Sequence, residues 1–480
     1  MITFIGGLII LIAGGWGYGM LCEKLFNPDD RKTPAIAMED GIDYVPMKQW
    51  KNSLIQLLNI AGTGPILGPI QGILFGPIAF ITIPIGCVLG GAVHDYYSGM
   101  ISMRNEGAQM PSLVQKYLGK QVQIVFFVFT CLLMLLVGAV FIYTPGDIFL
   151  AKFNVSTDPK TLPVWIVYAV IFIYYIIATL FPIDKIIGKV YPIFGALLIM
   201  SAVGIFFGLL FKGANLDNIW DTGLIPHHPK GFHFIPIFFV TVACGIVSGF
   251  HSTQATMIAR TVTDERQGRM TFYNMMLVEG FIAMCWSGAA MYIFKADPSA
   301  LGVPATQVVS RIAESFLGNI GGTIVVIGVV VLAITSGDTA LRSERLMIGE
   351  LLHIDQTKPQ NRLMISGCIF TLVAAILVWA KFNAQGFSIL WRYFAWANQT
   401  LAVFTFAMIT IYMRQNKLPF VMALLPGSFY MFIISSFLLN AKIGFNIPWT
   451  PAYIIAGVLT VAYMAALIFV PAGEEQAKLE

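Results

Sequence analysis

The sequence predicts an all-α polytopic membrane protein of about thirteen transmembrane helices: two five-helix sets of opposite orientation, one extra helix before them and two after. Three observations carry this prediction. Of 480 residues, 57% are hydrophobic and 11% charged, mean hydropathy is +0.77, and long apolar runs recur along the whole chain. Two of those runs are interrupted by glycine, proline or polar residues, and the interruptions lie five predicted helices apart. Of the 29 Lys and Arg residues, 20 fall in loops of one side, 8 in loops of the other, and Arg392 alone lies within a span.

The first run, Ile2 to Cys22, has no basic residue before it and no small-residue cleavage site, so it reads as a retained helix. A polar loop, Glu23 to Lys51, follows. The first set spans roughly 52–75, 76–103, 121–143, 163–182 and 190–212, and a polar loop occupies 213–233. The second set spans roughly 234–256, 270–294, 319–348, 362–382 and 386–413, with two more spans at 418–440 and 449–471. The chain therefore divides at 1–51, 52–212, 213–233, 234–413 and 414–480. A miscounted helix would scramble the charge bias, so the bias supports the count. The basic side is cytoplasmic, which puts the N-terminus outside and the C-terminus inside.

Each set has an amphipathic stretch between its second and third helices, Met110 to Lys120 and Val303 to Asn319, on opposite sides of the membrane. Both begin near a proline and end in Leu-Gly. With an odd number of helices per set, this is the inverted repeat of the LeuT-type fold. The six cysteines show no paired spacing and no neighbouring His cluster, which argues against disulfides and structural zinc. A net charge of +4 does not imply nucleic acid, and the partner that composition does imply is the lipid bilayer.

The two interruptions are the candidate substrate site. In Ile60 to Pro69, three glycines and two prolines break a helix, with Gly62, Thr63, Gly64 and Pro65 at the break. In Cys244 to Arg260 the break carries Ser248, Gly249, His251, Ser252, Thr253 and Gln254. A broken helix survives in lipid only where protein or water satisfies its backbone groups, and a half-helix N-terminus suits a carboxylate. The bland alternative is a plain kink.

Charged groups inside spans are the candidate coupling and gating residues. His94 and Asp95 lie in the second helix of the first set; the alternative for them is an interfacial pair. Glu279 lies near mid-membrane and suits a proton carrier, or else a partner for a buried Arg or His. Asp338 and Arg342 are spaced to pair along one helix face. With Ser336 and Thr339, and with the carbonyls near Ala61 and Gly64, Asp338 is also a candidate Na⁺ site. Arg392, among Trp391, Tyr393 and Trp396, is placed to gate an outer vestibule or attract an anion, or else to snorkel.

These motifs resemble the carbon starvation protein A family of bacterial inner-membrane transporters. The matching stretches are Asp40 to Pro46, Ile60 to Pro69, Gly91 to Gly107, Ser248 to Arg260, Glu279 to Trp286, Thr335 to Leu346 and Trp396 to Ala402. The resemblance implies the LeuT-type fold, a bacterial inner-membrane location, and import of peptides or of pyruvate with protons. Two departures mark a shorter subgroup. Many members carry histidines before the first break, where this chain has Gln56 and Asn59, and many are considerably longer.

The expected function is a secondary active transporter for pyruvate, short peptides or amino acids, with H⁺ as the coupling ion, Na⁺ as the alternative and no cofactor. A membrane enzyme using His94 and Asp95 lacks a recognisable nucleophile. A passive channel fits two inverted breaks less well, and a nutrient sensor lacks a soluble signalling domain. Substrate, coupling ion and oligomeric state do not follow from these residues.

Overall fold

The computed structural model describes residues 1–41, 43–180, 184–222, 226–355, 358–383 and 385–469, excluding the side chains of 179–180, 184–192, 350 and 359. Lys478 and the tail from 470 onward, and the side chains of Lys185 and Lys189, lie outside the described residues. The main helices are α1 (Ile2–Phe26), α2 (Gln49–Ile60), α3 (Gly64–Gly72), α4 (Ala79–Arg104), α5 (Met110–Leu118) and α6 (Lys120–Lys152). Next come α7 (Leu162–Leu180), α8 (Asp184–Phe211), α9 (Phe234–Thr241), α10 (Ala243–Ile246), α11 (Gly249–Ile258) and α12 (Glu265–Ala296). The chain continues through α13 (Ala305–Leu351), α14 (Pro359–Phe382), α15 (Gly386–Gln415), α16 (Val421–Asn440) and α17 (Trp449–Phe469). Among the described residues, ten helices are long and apolar enough to cross a membrane, or eleven if α2 and α3 are one span bent by 48°.

Both interruptions expected from the sequence are present. At the first, the chain leaves α2 after Ile60 and re-enters a helix at Gly64, with Pro65 in the first turn, where its missing N–H costs nothing. At the second, Val247 and Ser248 are extended, with φ −147° and −135°. The two broken segments touch. Gly64, Gly68 and Gly72 recur every four residues and so share one face of α3. A Cβ at these positions would fall 2.2 Å from Cys244 Cβ, 2.9 Å from the Thr241 carbonyl oxygen and 2.3 Å from Val242 Cγ2. The glycines therefore let the backbones approach to a distance that no larger residue allows, the usual basis of close helix packing in lipid.

One element end differs from the sequence expectation. α6 runs on to Lys152 instead of ending near 143, because apolar residues continue through Ile148 and Leu150 and Pro145 is absorbed within the helix. The amphipathic stretch expected over 303–319 is present as the first segment of α13, set off from the long helix that follows by a kink at Gly318 (φ 71°, ψ 178°).

The two ends of the bundle are built differently. At the end rich in basic residues, Met47 N–H donates to the Thr261 carbonyl, and Asn52 Nδ2 donates to the same oxygen at 3.0 Å. Thr261 Oγ1 donates back to Asn52 Oδ1 at 2.8 Å. Arg260 Nε donates to Gly107 O at 2.8 Å and its guanidinium sits over the Tyr44 ring, while Tyr44 OH donates to Glu106 O. Buried Glu265 accepts two bonds from Arg104 at 3.1 Å and one from Asp29 N–H at 3.2 Å. The opposite end contains a cavity of about 460 Å³ whose lining includes Gln71, Asp147, Lys230, Thr241, Lys381 and Arg392.

Candidate functional site

A π turn, Cys87–Gly91, interrupts α4 just before His94 and Asp95. At Gly91 a Cβ would lie 2.1 Å from the Ile246 carbonyl oxygen, so the turn brings α4 against the second break. His251 sits in the first turn of α11, immediately past that break, and Glu279 lies inside α12. Packing of these three helices joins the adjacent pair His94 and Asp95 to His251 and Glu279, which are remote from it in sequence. His94 Nδ1 is 2.8 Å from Asp95 Oδ1, and His251 Nδ1 is 3.1 Å from Asp95 Oδ2. His251 Nε2 is 3.5 Å from Glu279 Oε2, and all four side chains are fully buried.

This geometry constrains the protons. A carboxylate accepts, so each imidazole donates its Nδ1–H to Asp95. His251 Nε2 is then the atom that faces Glu279, at ion-pair range but beyond a hydrogen bond. Both Glu279 oxygens and His94 Nε2 have no hydrogen-bond partner in the structure. By accepting from both Nδ1–H groups, Asp95 fixes the tautomer and orientation of both rings.

Around the second break, Asn398 of α15 holds the unwound chain. Its Oδ1 accepts from Ser248 Oγ at 3.0 Å and from Phe250 N–H at 2.8 Å. Gly249 lies flat on α15, where a Cβ would be 2.4 Å from the Asn398 carbonyl oxygen. Ser252 and Thr253 donate to the carbonyls of Gly249 and Phe250, both at 2.7 Å. Gln254 Nε2 reaches Thr253 Oγ1 at 3.3 Å, while its Oε1 is buried without a partner.

The first break is less occupied. Thr63 Oγ1 and both amide atoms of Gln56 are buried without a hydrogen-bond partner. Ser336 of α13 stands beside it: its hydroxyl donates to the carbonyls of Leu332 (3.0 Å) and Leu58 (3.3 Å), and a Cβ on Gly62 would lie 3.5 Å from its Oγ. Thr339 Oγ1 donates to Thr335 O at 3.0 Å, and Arg342 Nη2 to Ala178 O at 3.3 Å. Asp338 is buried on the same helix. Among the described residues no group of three or more His, Cys, Asp or Glu side chains is arranged to hold a metal ion.

The structure thus gathers His94, Asp95, His251 and Glu279 into one chain, places Gly64 against Cys244 beside the second break, and sets Ser336 beside Gly62. Arg392 stands apart, in the cavity at the far end, with its guanidinium 4.9 Å from the Phe232 ring centre. Two polar groups escaped the sequence reading as site residues. Asn398 lay within a quoted motif, and an Asn-Gln pair in mid-helix was its signal. The Asp147–Lys381 ion pair, 2.8 Å long and joined by Tyr168 OH at 2.6 Å, was hidden because Asp147 fell just past the assigned end of one span and Lys381 at the last residues of another.

Comparison with known proteins agrees with this architecture. The family model for carbon starvation protein CstA matches residues 1–152, 154–325 and 299–437. An uncharacterized membrane protein of Haemophilus influenzae is 41% identical over 63% of this chain and 93% of its own length. The peptide transporter CstA of Escherichia coli is 21% identical over 89% of this chain and 80% of its own length. The pyruvate/proton symporter BtsT of Escherichia coli is 25% identical over 59% of this chain, a match spanning 48% of the symporter. Among solved structures, the Eremococcus coleocola manganese transporter bound to an aromatic bis-isothiourea compound has TM-score 0.58 at 9% identity, covering 90% of this chain and 97% of its own. MhsT in complex with L-phenylalanine has TM-score 0.56 at 14% identity, covering 88% and 99%. These neighbours are LeuT-like and establish the fold class; the family match establishes more, namely that this chain belongs to the carbon starvation protein CstA family of membrane transporters.

Proposed function

We propose that the chain is a proton-coupled secondary transporter that imports a small carboxylate, pyruvate or a short peptide, by alternating access across the bacterial inner membrane. In this reading residues 52–212 and 234–413 are the two inverted halves of a thirteen-span protein with its N-terminus outside and C-terminus inside. The observation that carries it is the buried chain His94–Asp95–His251–Glu279, which joins α4 of the first half to α11 and α12 of the second. Moving a proton on or off Glu279 changes the attraction across that contact between halves, which gives a proton a lever on their arrangement. The substrate carboxylate docks at the first break. There the N-terminus of α3 offers a positive dipole end, and the Thr63 hydroxyl and the Gln56 amide are buried without partners. The two Escherichia coli relatives, a peptide transporter and a pyruvate/proton symporter, support the substrate class.

A sodium-coupled reading rests on one specific observation, Ser336 Oγ beside Leu58 O and Gly62. Uptake of labelled pyruvate and of dialanine into proteoliposomes separates the two. Accumulation driven by acid outside, without sodium, and abolished in Glu279→Gln is the expected result. Accumulation only with sodium, or a Glu279→Gln protein that keeps its response to the pH gradient, sinks the proton reading. Thr63→Trp, which fills the first break, is expected to cut uptake by at least about a hundredfold in folded protein.

A further inference from the structure

The cavity at the end opposite the basic loops has a charge pattern that the central site does not use. Among the described residues its one lining carboxylate, Asp147, is already bound to Lys381 (2.8 and 3.0 Å) and to Tyr168 OH (2.6 Å). Arg392 and Lys230 line the same cavity, and no carboxylate of the described residues pairs with either. Arg392 is held in place by an aromatic stack. The Phe75 and His228 rings are 4.7 Å apart, His228 and Phe232 are 4.7 Å apart, and the Arg392 guanidinium caps Phe232 at 4.9 Å. Arginine stacked on a ring keeps its planar fork of donors available at its edge.

The cavity floor reaches both broken segments, at positions about two helical turns from the breaks themselves. Gln71 belongs to α3, and Thr241 ends α9 where it meets Gly68. On α15, Arg392 precedes Asn398, the residue that holds the second break, by about 9 Å of helix rise.

We propose that this cavity is an outer binding site for the substrate's carboxylate, with Arg392 as its anchor and Lys230 beside it, occupied before the ligand reaches the two breaks. The inference rests on the reading that the substrate carries a carboxylate. A guanidinium recognises that group through two parallel N–H···O bonds, and at about 460 Å³ the cavity accommodates a keto acid or a dipeptide. His228 adds no charge at neutral pH: burial, reinforced by Lys230 and Arg392, pushes its pKa down to about 4.

The test uses the full chain carrying Thr63→Trp, which closes the central site. Phenylglyoxal modification of Arg392, read by mass spectrometry, is followed with pyruvate, with dialanine, and with alaninamide, which lacks a carboxylate. Protection of at least fivefold by pyruvate or dialanine and none by alaninamide is expected. Equal rates with and without the carboxylates would overturn the proposal. In the otherwise native chain, Arg392→Gln is expected to raise the KM for uptake about tenfold with the maximal rate kept within twofold, and Arg392→Lys to recover part of it. An unchanged KM would also overturn it. Protection without any transport by the native chain would leave the outer site standing and remove the central-site reading instead.

Discussion

The two ends of the bundle use the same kinds of charged and hydrogen-bonding side chains, arranged to opposite effect. At the basic end nearly every named polar group is answered by another: Glu265 by Arg104 and the Asp29 amide, Asn52 by Thr261, Arg260 by Gly107 and Tyr44. At the far end Asp147 and Lys381 answer each other, while Arg392 and Lys230 face open space. A latch and a receptor are made from the same side chains; the difference is whether the partner is supplied by the chain or left to a ligand.

Four substitutions test that contrast, in falling order of expected effect. Glu265→Ala leaves the Arg104 guanidinium without its carboxylate and is expected to destabilise the protein by about 3–5 kcal/mol, read by thermal unfolding in detergent. A loss below 1 kcal/mol would mean that the basic end is not held by this group. Asp147→Asn is expected to cost about 2 kcal/mol, less because the cavity admits water, with most of it recovered in Asp147→Leu/Lys381→Met. If the double variant is worse than either single one, the pair does more than neutralise itself. Asn52→Ala removes two bonds to Thr261 and is expected to cost about 1–2 kcal/mol and to increase labelling of cysteines introduced beside Met47. The smallest effect concerns pH. Because the folded pKa of His228 lies below its ordinary value, its contribution is present above the ordinary histidine range and lost as pH falls toward about 4. Acidification from pH 7 to 5 should therefore lower the melting temperature more in the native chain than in His228→Gln, and identical slopes would exclude it as a source of acid sensitivity.

How much was legible in the sequence follows from the range of each interaction. Both breaks were legible because Gly62–Pro65 and Ser248–Gln254 carry their signal locally. Glu279 was legible from depth alone. That His94, Asp95, His251 and Glu279 form one chain was not, because the contact that joins them, Asp95 to His251, pairs residues 156 positions apart and the register comes from a π turn that no local pattern announces. The Asp147–Lys381 pair was missed for a different reason. Apolar runs locate a span's middle well and its ends badly, and each of these residues lay where an end was assigned. Asn398 shows the converse: a polar residue in a strongly apolar helix is visible, but its duty to the Phe250 amide is written in tertiary structure.

The glycine stripe of α3 has a mechanical consequence. Hydrogen atoms at Gly64, Gly68 and Gly72 are all that separate that helix from Thr241, Val242 and Cys244, so the two broken segments have no slack to slide past each other. They behave as one blade rather than as two shutters. Whatever swings to admit a solute must hinge around that blade, and its hilt is a seam too thin for a methyl group.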